Sequence, residues 1–401
     1  MAPALLARFL IATIAIAGCK GSIGGDDDDG DDAGPGPGDD GGTSGRDAAP
    51  ACPTGEAVGT LTDAALPSVP AGVTAFLAAT DGGVVVAWHT SGTAHVQAFD
   101  LDGTPRGDAA TADAAALYGL ATSSAGDGLL VSRGSDELHL VVVGGAAPVD
   151  RRILGGVPHD VTDNEWFGEL IRVGRLIWTG SSWAAYYSVQ RLWDDGVAHY
   201  GDQLSYFTAG GEPMGQEWGW GCSHSLDVRL ADDGDTVAPL CTSDCYPGKG
   251  VYYFHDREVF DDPSGNCAGD LDTTLGGIAP IAGGVLTAFA SPATRSSVDV
   301  AVVKVPTRGA AGAPHWLTDA TGADGDVHLA AFGAGGVVGW RNGAAAQLLA
   351  VDGSGAPVGA PQALPGPAHT DASDFVVLAD GAVAWVSTGG GGRLHVLRAC
   401  N

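Results

Sequence analysis

Gly82-Gly83-Val84-Val85-Val86-Ala87-Trp88 is a glycine turn that runs into a β-branched strand ending in tryptophan. The same unit recurs at Gly335-Gly336-Val337-Val338-Gly339-Trp340 and at Asp380-Gly381-Ala382-Val383-Ala384-Trp385. Weaker copies occur at Gly126 to Arg133, Ser181 to Tyr187, Gly234 to Leu240 and Gly283 to Phe289, which makes seven. Repetition at a fixed period is the strongest single clue to architecture, because each copy is one supersecondary unit that must bury its apolar face against the next.

A second element follows at a fixed distance. Gly103-Thr104-Pro105-Arg106-Gly107 and Gly355-Ala356-Pro357-Val358-Gly359 each begin 15 residues after Trp88 and Trp340. Gly211-Glu212-Pro213-Met214-Gly215 and Gly312-Ala313-Pro314 are further copies. Gly and Pro supply turn chemistry between strands. Between the two elements lie β-rich runs such as His95 to Phe99, Val298 to Val303 and Gln347 to Val351. Each unit therefore reads as four short strands repeating every ~45 to 54 residues, and no stretch carries a helical apolar stripe. The expected fold is all-β: a β-propeller of seven four-stranded blades. The repeated Trp would lie on the second strand of its blade, in the core between sheets.

The last unit, with strands at Phe375 to Leu378, Ala382 to Val386 and Leu394 to Arg398, ends one strand short. Ala57 to Thr62, ahead of the first full unit, is expected to supply that outer strand and remove an exposed edge. This brings Cys52 beside Cys400, and a Cys52–Cys400 disulfide is expected to lock the ring, worth roughly 4 to 5 kcal/mol for so long a loop.

The turn-strand-Trp and G-x-P-x-G modules, over most of residues 56 to 400, resemble a loosely defined class of bacterial lipoproteins built on uncharacterised propeller repeats. That resemblance speaks to fold and not to chemistry. The N-terminus fits it: Ile16-Ala17-Gly18-Cys19 resembles a lipobox, behind Arg8 and an apolar run too short to span a bilayer. The resemblance implies a signal peptide over 1–18 and acyl chains on Cys19 that anchor the protein to a membrane. It places the protein in the cell envelope, at the outer membrane or cell surface, since Lys20 stands where an inner-membrane retention signal would carry Asp.

Residues 19–51 are a Gly/Asp/Pro tract containing Asp26 to Asp29, and a segment with so few apolar side chains is expected to be a disordered acidic linker. As a coil it would hold the domain at 52–401 roughly 30 Å from the membrane. The formal net charge is −29, and most of it lies beyond this tract, so nucleic acid is excluded as a partner.

Function is sought where a chain departs from its repeat. Insertions gather in units three and four, at one end of the ring, and include Cys222, Cys241, Cys245 and Cys267. The spacing C-x18-C-x3-C-x21-C lacks the short paired knuckles of a zinc site, so no metal is expected there. Placement favours Cys222–Cys241 and Cys245–Cys267, although four cysteines allow three pairings. The same inserts carry His159, Asp160, Glu165, Trp166, Trp193, Trp218, Trp220 and His224. Aromatic rings beside carboxylates suit glycans, because sugar C–H faces stack on rings while carboxylates accept from hydroxyls. No nucleophile motif, phosphate loop or dinucleotide fingerprint occurs. Asp100-x-Asp102-Gly103 opens like a calcium loop, but the later ligands are missing and the segment reads as a polar strand turn; no cofactor is expected.

The expected function is a monomeric, membrane-tethered, extracytoplasmic binding or interaction module for a glycan or protein ligand. The alternative is a secreted hydrolase or lyase using His159, Asp160 and His224 near the ring axis, which requires the imidazoles and a carboxylate to converge there.

Overall fold

The structure is a computed structural model. It describes residues 58–400, apart from 135–136, 156–164, 167–172, 193–197, 225–226, 235, 264–266, 268–271, 320–323, 344 and 365–372, and gives only the backbone at 155, 165–166, 191–192 and 198. Cys19 and Cys52, with the expected signal and linker, lie outside the described residues.

Among the described residues all regular elements are strands, arranged in seven sheets that form the blades of a propeller. The innermost strands of blades one to seven are Ala75–Thr80, Ala116–Ser123, Gly174–Trp178, Val228–Asp232, Thr274–Ile281, Asp324–Phe332 and Val376–Val377. Each is followed outward by antiparallel neighbours in chain order. All seven turn-strand repeats form second strands: Gly83–Thr90, Gly126–Arg133, Trp183–Leu192, Val237–Ser243, Gly284–Ser291, Gly335–Asn342 and Val383–Ser387. Trp88, Trp340 and Trp385 are buried there.

The G-x-P-x-G element is the turn into the outer strand. In blade one the Gly103 N–H donates to Asp100 O at 2.9 Å, and in blade six the Gly355 N–H donates to Asp352 O at 2.9 Å. The Thr104 backbone N–H donates to Asp102 and holds its carboxyl below the usual carboxylate range. Asp100 to Gly103 is thus a closed turn. Pro105, Pro213 and Pro357 then open the outer strands Pro105–Asp113, Pro213–Trp218 and Pro357–Leu364, where a missing N–H faces no ladder.

Ring closure is as expected from the strand deficit. Gly59–Ala65 pairs antiparallel with Arg393–Ala399, from Gly59↔Ala399 to Ala65↔Arg393, a few residues beyond the segment expected from sequence. The first and last strands of the domain share one blade, so Arg393–Ala399 is not left as an edge. Cys400 is disulfide-bonded and directly follows the residue opposite Gly59.

Core side chains form clusters between successive sheets, such as Leu130, Leu140, Trp183 and Tyr187 between blades two and three. Burying each large side chain contributes roughly 1.5 to 3 kcal/mol before chain entropy is counted. Near the axis the strands converge, and a Cβ on Gly119 would lie 2.9 Å from the Leu176 nitrogen of the next blade, so glycine permits the approach.

Blade three departs from the pattern. Its second and third strands, Trp183–Leu192 and Ala198–Phe207, extend to ten residues each. An extra short strand, Glu165–Trp166, pairs with the far end of Trp183–Leu192 beside the regular inner strand. Blade four is shortened: its outer strands Gly250–Tyr253 and Arg257–Asp261 have four and five residues. Pro239 is nevertheless accommodated in its second strand, opposite Leu230.

Candidate functional site

The segment from Trp218 to His224 leaves the outer strand of blade three and crosses to blade four. Its backbone is laced to hairpins on both sides. The Gly221 N–H donates to Asp202 O at 2.8 Å, the His224 N–H to Tyr200 O at 3.0 Å, and the Ser223 N–H to Tyr246 O at 2.8 Å. Two disulfides, Cys222–Cys241 and Cys245–Cys267, fasten the segment and the blade-four loops. These are the pairings that strand placement favours.

On this frame Trp220 and Tyr246 lie 5.5 Å apart, and Tyr200 and His224 lie 5.8 Å apart. Gly201 makes room for the indole, since a Cβ there would fall 2.4 Å from Trp220 Nε1. Tyr246 is 56% exposed. His224 is exposed, and its Nδ1 lies 2.6 Å from Asp244 Oδ2. Because a carboxylate only accepts, Nδ1 carries the proton of this contact. The arrangement is a rigid rim of rings with a fixed polar group, suited to an apolar face edged by hydroxyls.

Trp218 corrects the expectation that it belongs to the ligand face. It is buried, and its indole N–H donates to Asp202 Oδ1 at 2.8 Å. Its ring meets Tyr186 edge-on and lies 4.6 Å from His255. A buried carboxylate needs such donors, which fixes Trp218 inside the joint between blades three and four. The same burial, reinforced by Asp202, pushes the Tyr186 hydroxyl well above its ordinary pKa. Asp202 also approaches Cys222 and Cys241, but sulfurs joined in a disulfide are not thiolate ligands, so this group does not make a metal centre. His159, Asp160 and Trp193 lie outside the described residues, and of Glu165 and Trp166 only the backbone is given. Of the expected set, the structure brings Trp220 and His224 together.

The axis holds a second feature that sequence reasoning missed. A funnel of about 700 Å³ opens among the starts of the innermost strands, with Phe76, Tyr118 and Asp324 in its wall and Arg175 and Arg229 at its base. Arg175 Nε lies 2.7 Å from Asp374 Oδ2, and Arg229 Nε lies 3.1 Å from Asp374 Oδ1. Arg229 also pairs with Asp227 and donates to Leu275 O at 2.6 Å, while Asp227 accepts the Leu275 N–H at 2.9 Å. Asp374 belongs to blade seven, and the arginines to blades three and four. The pairs therefore reach across the ring. Beyond them lies a second cavity of about 320 Å³, which shares Phe76, Arg175 and Arg229 with the funnel. A faint signal existed: Gly174-Arg175-Leu176 and Val228-Arg229-Leu230 place arginine second, before leucine, in two successive inner strands.

No family model and no curated protein matches the chain. Solved structures match its fold at low identity. The WD40 domain of Toxoplasma gondii coronin is 10% identical, with a TM-score of 0.47 over 88% of this chain and 90% of that one. The Dos1 propeller is 11% identical, with a TM-score of 0.46 over 82% and 78%. A prolyl endopeptidase is 14% identical, with a TM-score of 0.43 over 82% of this chain but 45% of that protein, so the chain spans under half of its length.

Proposed function

We propose that this propeller is a binding module, tethered to the cell envelope through Cys19, whose ligand face is the rim of blades three and four and whose ligand is a glycan. The observation that carries the reading is the position of His224. It stands on the rim, paired with Asp244 and beside Tyr200, Trp220 and Tyr246, and not among the residues that line the axial funnel. A hydrolase or lyase working at the axis would need that imidazole to converge there with a carboxylate. Two disulfides and the lacing hydrogen bonds hold the rings in place before a ligand arrives, which lowers the ordering cost of binding.

The test is a glycan array with the purified protein, followed by calorimetric titration of the best oligosaccharide. Tyr246→Ala and His224→Ala should each weaken binding at least fivefold without changing the melting temperature. Unchanged affinity in both variants, or no glycan bound by the native protein, overturns the reading.

A further inference from the structure

The axial funnel carries its own signal, independent of the rim. Asp324 is 3% exposed and lines the funnel wall at the start of the innermost strand of blade six. Its Oδ1 accepts from Asn342 Nδ2 at 2.7 Å. Its Oδ2 is buried and has no hydrogen-bond partner among the described residues. Leaving a buried acceptor unsatisfied is costly, and more so for a charged one, so a carboxyl oxygen left in this way marks a place where a donor is missing.

Of the other charged side chains that line the funnel, Arg175, Arg229, Asp227 and Asp326 are paired, and Asp272 is exposed to solvent. Arg175 and Arg229 hold Asp374, Arg229 also holds Asp227, and Arg341 Nη2 lies 2.6 Å from Asp326 Oδ2. Asp324 thus leaves a buried, unpartnered carboxyl oxygen in the wall of a cavity of about 700 Å³, within the range of small-molecule sites. Phe76 and Tyr118 line the same cavity but are themselves buried, each packed into a cluster between blades. The chain's net charge of −29 adds a field that draws in cations.

We propose that the funnel binds a small organic ammonium ion, its N–H groups on Asp324 Oδ2. A divalent metal fits less well. Calcium takes six to eight oxygen ligands, whereas among the described residues the one group of three candidate metal ligands is Asp202, Cys222 and Cys241, away from the funnel. An ammonium needs few acceptors.

The experiment is calorimetric titration of the native protein with phenethylammonium chloride, 2-phenylethanol and calcium chloride separately. The ammonium should bind at least tenfold more tightly than the isosteric alcohol, and its affinity should fall as salt is raised. Asp324→Asn, checked for folding by circular dichroism, should lose at least tenfold in ammonium affinity, while Tyr246→Ala on the rim should lose none. Failure of the ammonium to bind, equal binding of alcohol and ammonium, an unaltered affinity in folded Asp324→Asn, or displacement of the ammonium by calcium would each overturn the proposal. If Asp324→Asn does not fold, the comparison of ammonium with alcohol on the native protein decides. Because the rim variant is read in the same series, loss of the glycan reading and loss of this one are distinguishable.

Discussion

His395 Nδ1 lies 2.5 Å from Asp63 Oδ1, although 332 positions of sequence separate the two residues. Asp63 is on the first strand of the domain and His395 on the last, so the contact sits inside the blade that closes the ring. The other ring nitrogen, Nε2, lies 2.7 Å from Ser387 Oγ, and the imidazole stacks on Trp385 at 5.1 Å with an interplanar angle of 11°. A neutral imidazole satisfies both partners, donating from Nδ1 to the carboxylate and accepting at Nε2 from the hydroxyl.

Burial pushes the His395 pKa below its ordinary 6.5, and Asp63 only partly offsets this. In the unfolded chain the imidazole gains a proton as pH falls through about 6.5, while the folded protein resists until lower pH. The unfolded state then binds more protons, so this residue's contribution is complete above pH ~6.5 and is lost on acidification through its folded value. Thermal melts from pH 7.5 to 5 should show a falling melting temperature. His395→Gln should be destabilised by about 1 to 3 kcal/mol at pH 7.5, yet decline less steeply with acid. A slope identical to that of the native protein would show that His395 does not govern it.

Blade contacts also set a size limit. A Cβ on Gly128, in the second strand of blade two, would fall 2.6 Å from the Trp183 ring of blade three. Gly128→Ala should therefore cost about 1 to 3 kcal/mol in urea unfolding through overpacking. Gly390→Ala, where a Cβ meets nothing within 4 Å, should stay within roughly 0.5 kcal/mol of native.

The disulfide framework is open to direct mapping. Non-reducing peptide analysis should return Cys222 with Cys241, Cys245 with Cys267, and Cys400 with Cys52. Cys400→Ser should lower stability by about 4 kcal/mol, because the bridge closes a loop nearly as long as the domain. Any other partner for Cys400 would sink the ring-lock expectation.

The repeat was readable because its chemistry is local. A glycine turn, a β-branched run and a terminal Trp specify a buried second strand wherever they occur, as at Gly83–Thr90 and Val383–Ser387. Ring closure was readable by counting strands. Trp218 was not, because its burial depends on Asp202, a partner supplied by the neighbouring third strand, and sequence separation hides which indole meets a buried carboxylate. Trp220, two residues on, meets Tyr246 on the rim. The axial pairs were hidden for the same reason: Arg175 and Asp374 are 199 positions apart and meet only because the ring brings blade seven opposite blades three and four.

That meeting yields the sharpest stability test. The Arg175 side chain is 11% exposed and the Arg229 side chain 6%, so both guanidiniums depend on nearby carboxylates for their charge to be tolerated. Removing Asp374 leaves Arg229 with Asp227 but takes from Arg175 the carboxylate that holds its Nε. Breaking a buried pair by deleting one partner costs roughly 3 to 5 kcal/mol, and the Asp227 contact puts Asp374→Ala at about 3 kcal/mol. Arg175→Met in the Asp374→Ala background should recover much of that loss, since an apolar pair of similar volume removes the buried charge that made the single change costly. Urea unfolding of the single and double variants reads this coupling. Additive losses would mean that the two side chains do not act across the axis, and that the ring is held by its sheets alone.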